Sequence, residues 1–318
     1  MTNTDTEQTP VVCQGREGEA GWRAWPARVS RLGTALTIER ALPQKQLRLI
    51  GPWCFLDHIG PVMFDDGDKG VDVGPHPHIG LQTVTWLLEG ELLHKDSLGY
   101  EQVIRPGQLN LMTAGHGISH SEESPPDRSA RLHGVQFWIA LPAAEADRAP
   151  AFEHYTEVPR QSLAVMDLHL VVGRHGEQTS PARVWSPLVG AELVAREAGE
   201  ETLALEPDFE HGLMLLQGEA SLDGTPMLPG TLYHASPGCS AVRLQVSADA
   251  RVFLLGGEPL GEELLLWWNF VGRSTEEIRQ ARTDWVEQDR PDGRFGQVAA
   301  YAGARLPTPD LAADIRLK

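Results

Sequence analysis

The stretch Pro75-His76-Pro77-His78-Ile79-Gly80-Leu81-Gln82-Thr83-Val84-Thr85-Trp86-Leu87-Leu88-Glu89-Gly90-Glu91 decides how the chain folds. Its second half, Leu81 to Leu88, is rich in β-branched and aromatic residues and stops at a glycine turn signal. It predicts a strand. In its first half, two histidines stand at i and i+2. On an extended segment they point to the same face and can hold one ion together. On a helix they would diverge, and the flanking prolines disfavour a helix.

A second cluster lies downstream, in Ala114-Gly115-His116-Gly117-Ile118-Ser119-His120-Ser121-Glu122. His120 and Glu122 repeat the i, i+2 spacing and share a face if the segment is extended. Three imidazoles and one carboxylate form a borderline donor set compatible with Fe(II), Mn, Ni, Cu or Zn. Four protein ligands leave a five- or six-coordinate ion open to water, substrate or dioxygen, which suits a catalytic ion. His116 competes for the same face by period two, although its glycine neighbours read as a turn. His58 either lines the pocket or serves a turn. His94 reads as a surface or packing residue, and spacing does not assign His133.

Outward from this core, short strand-like segments and turns continue to about residue 260. Leu87-Leu88-Glu89-Gly90-Glu91 is echoed by Leu215-Leu216-Gln217-Gly218-Glu219, and Pro106-Gly107-Gln108-Leu109 by Pro229-Gly230-Thr231-Leu232. Two words in the same order at nearly the same spacing indicate duplication. The expected architecture is all-β, two similar barrels in tandem. Residues 1–20 are expected to form a flexible tail, 21–140 the first barrel, 141–188 a connector, and 189–318 the second barrel with a C-terminal helix. That helix is marked by Ser274-Thr275-Glu276-Glu277, a capping-box pattern, with Ile278, Ala281, Arg282 and Trp285 at helical spacing.

The formal net charge of −17 argues against direct binding of nucleic acid or of an anionic membrane. A protein partner stays open. Cys13, Cys54 and Cys239 form no CxxC pair and no even framework, so reduced thiols are expected. The polar N-terminus has no secretory h-region and no apolar run reaches a membrane span. A cytoplasmic location is the expectation.

The words PHPHIGLQTVTWLLEGELLHKDSLG and PGQLNLMTAGHGISHSE resemble the pirin family of the cupin superfamily. GPWCFLDHIGP resembles its entry loop, and LLGGEPLGEELLLWWNFVGRSTEEIRQA its C-terminal signature. The resemblance runs from about Trp25 to Trp285. It implies a bicupin of two jelly-roll barrels with one metal site in the first. His76, His78, His120 and Glu122 would be the ligands, usually of Fe(II). General cupins carry a glutamate where Gln82 stands; in pirins the carboxylate comes from the second motif, here Glu122. Gln82 departs from the glutamate common there in pirins, and His116 takes a place often held by arginine. Both are candidate pocket residues with His58. The spacing of the echoes puts Ala204, Glu206, Arg243 and Gln245 at the corresponding positions of the second barrel, so no metal set is expected there.

The resemblance implies a quercetin 2,3-dioxygenase-like activity, opening a flavonol heterocycle with O₂ and releasing CO. Glu122 would be the general base for the flavonol hydroxyl. The alternatives are an iron-dependent redox-sensing regulatory protein and a non-oxidative cupin enzyme.

Overall fold

The computed structural model describes residues 11–13, 21–32, 36–65 and 67–311. Apart from 11–13, the expected tail lies outside them. Antiparallel strands dominate and divide into two barrels of one design. In the first, the large sheet runs Ala151–Tyr155, Leu109–Thr113, Leu81–Glu89, Arg131–Ala140, Trp53–Met63, Leu36–Leu42, Arg28–Leu32. Facing it is a small sheet in the order Asp72–His78, Ile118–Glu123, Leu92–Asp96, Glu101–Ile104.

The second barrel repeats the order. Its large sheet centres on Leu188–Ala195, Arg251–Gly257, Glu210–Gln217 and Thr231–Ala235, and its small sheet runs Gly199–Ala204, Ala241–Val246, Ala220–Leu222, Thr225–Pro226. The echoed words therefore occupy equivalent places. Leu81–Glu89 and Glu210–Gln217 end at Gly90 and Gly218, with φ of 82° and 73°, a conformation that glycine adopts without steric cost.

Two features depart from the expected division. The connector expected at 141–188 is not free of the sheets. Ala151–Tyr155 pairs with Leu109–Thr113 of the first barrel, and Met166–His175 with Leu188–Ala195 of the second. The start of the first barrel, expected at residue 21, is displaced too, because Arg23–Pro26 pairs with Thr231–Ala235 of the second. Both exchanges satisfy backbone groups on what would otherwise be sheet edges.

The barrels pack large sheet to large sheet. One apolar cluster spans them, with Trp53, Trp86 and Phe137 against Met214, Phe253 and Leu255. Buried polar bonds cross the same interface. Trp53 Nε1 donates to Gly256 O at 3.0 Å, Trp86 Nε1 to Glu192 Oε2 at 2.9 Å, and the Gly51 amide to Glu210 Oε2 at 2.6 Å.

The C-terminal segment returns to the first barrel. Leu264–Trp267 and Phe270–Gly272 form a hairpin whose Phe270 bridges Ile79. The helix Thr275–Glu287 follows. Ser274 Oγ accepts from the Glu277 amide at 3.1 Å, as the capping pattern predicts, while Glu277 reaches back to the Arg273 amide at 2.7 Å rather than to Ser274. Ile278, Ala281, Trp285 and Phe295 bury against Ile79 and Phe270.

Candidate metal centre

His76 and His78 lie on Asp72–His78, and His120 and Glu122 on the adjacent Ile118–Glu123. His76 stands directly opposite His120. A bulge follows, so that Glu122 faces Val73, with Gly74 and Pro75 together opposite the single Ser121. Bulges re-aim side chains beside functional sites. Here the bulge lets His76 Nδ1 reach Gly74 O at 2.9 Å. A side chain on Gly74 would meet Ala304 O at 2.6 Å, so only glycine fits between this strand and the C-terminal segment.

The ligand atoms of His76, His78 and His120 all lie within 4.8 Å of one another, and all three residues are buried. Glu122 stands beside that group rather than in it. It is 2% exposed, and its charge reaches His76.

Each ring is held through Nδ1. His76 donates to Gly74 O, His78 to Asn269 O at 3.0 Å, and His120 Nδ1 lies 3.3 Å from His94 Nδ1. A ring that donates through Nδ1 keeps a lone pair on Nε2. His78 Nε2 and His120 Nε2 are 3.1 Å apart, and buried His76 Nε2 has no hydrogen-bond partner among the described residues. His76 and His78, whose Nδ1 atoms donate to carbonyls, thus keep an Nε2 lone pair able to coordinate a cation. This donor arrangement fits a metal ion.

Burial pushes His76 down to about 4, against the charge of Glu122, which raises it. Burial, then the neighbouring imidazoles, hold His78 and His120 well below the ordinary value. Near neutral pH the three rings are uncharged, the form that coordinates a metal.

Facing the cluster is the inner side of the large sheet. Trp138 meets His78 edge-on, with ring centroids 5.1 Å apart, and Phe55 stacks on Trp138 at 3.9 Å. Thr83, Trp138 and Phe55 form one row across three strands; Asn110, Thr85, Gln136, Asp57 and Arg40 form the next. Arg40 and Asp57 are joined by two bonds of 2.8 and 2.9 Å. Trp138 Nε1 and Gln136 Nε2 have no hydrogen-bond partner among the described residues. The inner face is thus part aromatic, part polar.

The second barrel is different. Ala204, Glu206, Arg243 and Gln245 are exposed. The alternating Leu203, Leu205, Val242 and Leu244 turn inward instead and join Leu213, Leu215 and Leu254 in an apolar core.

The three candidate pocket residues lie elsewhere than expected. His116 is exposed, with Nδ1 3.1 Å from Arg148 O, because Gly115 and Gly117 turn the chain there. Gln82 is buried, but it shares a face with Val84 and Trp86, toward the second barrel, and donates to Thr113 Oγ1 and Arg183 O at 2.9 Å. His58 is bound between Glu39 Oε2 at 3.0 Å and His133 Nε2 at 2.9 Å.

His94, expected at the surface or in packing, is buried in contact with His120. Its Nε2 lies 3.1 Å from Asp96 Oδ2, and its ring stacks on Phe152 at 4.4 Å. A local signal for this pair existed. Leu92, His94 and Asp96 alternate with period two, giving a third i, i+2 pair on a third strand. Asn269, which acts through its backbone carbonyl, had no local signal.

Comparison with known proteins followed the same division. Residues 35–139 match the Pirin family profile and residues 191–291 the Pirin C-terminal cupin domain. A Pseudomonas aeruginosa protein whose name assigns it provisionally to the quercetin 2,3-dioxygenases is 47% identical over 90% of this chain and 89% of its own length. A pirin-like protein of Caulobacter vibrioides is 39% identical over 86% of this chain and 94% of its own. The crystal structure of a quercetin 2,3-dioxygenase from Acinetobacter baumannii superposes with a TM-score of 0.89 at 45% identity, covering 93% of this chain and 97% of that one.

Proposed function

The chain belongs to the pirin family, and on that premise we propose that it is a metal-dependent dioxygenase of the quercetin 2,3-dioxygenase type. Its single metal centre is formed by His76, His78 and His120, with Glu122, buried beside them, as the fourth ligand. One observation carries the reading: ring nitrogens of three buried imidazoles lie within 4.8 Å of one another, the Nε2 atoms of His78 and His120 being 3.1 Å apart. Fe(II) is the favoured ion. The donor set also accepts Mn, Ni, Cu or Zn, and a bacterial pirin from Escherichia coli was solved in complex with nickel(II).

A bound ion supplies Lewis acidity that lowers the pKa of a flavonol hydroxyl and a redox-active point for O₂. The chain does the rest. Gly74 O and Asn269 O hold two imidazoles by their Nδ1 protons, leaving Nε2 aimed inward. Glu122, buried beside the histidines, takes the proton of the hydroxyl as general base. The Trp138–Phe55 stack offers a flat apolar wall to an aromatic ring system and keeps bulk water from it. The reaction opens the heterocycle with both atoms of O₂ and releases CO. No helix is long and apolar enough to cross a membrane among the described residues.

The test is anaerobic loading of the purified chain with Fe(II), then quercetin and O₂. Loss of the flavonol absorbance with stoichiometric CO is expected. Loaded protein that leaves quercetin intact would turn the reading toward a metal-dependent binding protein.

A further inference from the structure

His94 and Asp96 belong to the same small sheet as the cluster but to its third strand, Leu92–Asp96. In register, Asp96 stands opposite His120 and His94 opposite Glu122. Both side chains are buried. The Asp96 carboxylate is fixed at both oxygens. Oδ1 accepts the amides of Leu98 at 2.9 Å and Tyr100 at 3.1 Å, and Oδ2 faces His94 Nε2 at 3.1 Å. The ring plane of His94 is fixed by Phe152, stacked at 12° between planes.

This arrangement has a direction. An ionised carboxylate offers only acceptors, so His94 Nε2 must carry the hydrogen. A neutral His94 then has an acceptor at Nδ1, and the proton in the 3.3 Å contact comes from His120 Nδ1. That assignment leaves Nε2 of His120 bare and aimed at His78 Nε2. The reversed order would set the His94 Nε2 lone pair against the carboxylate and put a proton on His120 Nε2, where a metal must bind.

We propose that Asp96 and His94 are positioning residues that lock His120 into its Nδ1–H tautomer and thereby set the metal affinity of the centre. The proposal rests on the metal reading above. Groups that orient ligand histidines through the far nitrogen commonly govern affinity in this way.

Asp96→Asn is the decisive variant. It keeps Oδ1 for the Leu98 and Tyr100 amides but presents N–H to His94 Nε2, reversing the chain and driving the proton onto His120 Nε2. Ni(II), stable in air, is titrated into the full chain against a chelator, and the His120 tautomer is read in the apo protein by ¹⁵N NMR. The expected result is affinity about 10- to 100-fold weaker, a shift of His120 from Nδ1–H to Nε2–H, and apo thermal stability close to wild type. His94→Phe, which keeps the stack but removes the acceptor, should also weaken binding, and His94→Gln, which restores an acceptor, should recover part of it. A merely structural role would lower stability and leave the tautomer unmoved. If wild type binds one ion and Asp96→Asn binds it equally well with His120 unchanged, the positioning role is overturned. Should Asp96→Asn fail to fold, equal affinity of His94→Phe and His94→Gln overturns it. Wild-type protein that binds no ion would instead overturn the metal reading itself.

Discussion

His78 Nδ1 lies 3.0 Å from the backbone carbonyl of Asn269, a residue 191 positions further along the chain. A candidate ligand of the first barrel is thus oriented by a hairpin that follows the second. Ile79, next to His78, bridges Phe270, next to Asn269, so the contact is buttressed by neighbouring backbone. The centre depends on the chain being closed from its far end.

Phe270→Ala should therefore do two things. Removing a fully buried ring costs about 3–5 kcal/mol of stability. It should also loosen the carbonyl that holds His78 and weaken metal binding beyond the loss of fold. Urea denaturation of the apo protein and metal competition under native conditions separate the two. Unchanged affinity in the folded variant would refute the link.

Metal analysis of purified protein should find about one transition ion per chain. His76→Ala or His120→Ala should abolish it, whereas His116→Ala, on the exposed turn, should not change it. The second barrel adds none, since Leu203, Leu205, Val242 and Leu244 fill the positions that face inward there. A ratio of zero or two would contradict the single-site assignment.

Gln82→Glu tests which way that side chain matters. Gln82 donates to Thr113 Oγ1 and Arg183 O. A carboxylate cannot donate, and it would face a carbonyl oxygen in a buried place. The expected cost is roughly 1–3 kcal/mol of stability, with metal affinity little changed. A variant with altered affinity and native stability would show that position 82 acts on the centre after all.

Acid should destabilise the apo protein in a defined window. Burial, then His58, pushes His133 down to about 4; burial, then His234, pushes His211 down to about 4. Unfolded, each titrates near the ordinary 6.5. The unfolded chain then binds more protons below that value, so stability is full above about pH 6.5 and falls as pH drops toward about 4. Urea midpoints of chelator-treated protein across that range should decline, and His211→Phe should flatten part of the decline. A flat profile would contradict neutral burial of these rings.

The reading of Leu81–Leu88 as a strand, the duplicated words and the helix start at Ser274 could be made locally because period and turn chemistry are properties of a segment. The same holds for His76 with His78 and His120 with Glu122: in an extended segment, i and i+2 share a face whatever surrounds them. The period does not say which face turns inward. Gln82, a pocket candidate by resemblance, is turned toward the second barrel, and His58, read as either a pocket or a turn residue, is bound between Glu39 and His133. Nor does it say which strand lies beside which.

The amino-acid sequence by itself determined two barrels of short strands and two pairs of metal-type donors on extended segments. Only the tertiary structure decided that the strands bearing those pairs are neighbours, that His94 and Asp96 stand on the next strand over, and that Asn269 closes the set. It also decided that Arg23–Pro26, expected in the first barrel, and strands of the expected connector complete the sheets. The reason is physical. Alternation along a strand is local, whereas pairing between strands is set by closure of the barrel and burial of its faces, which depend on the whole chain at once.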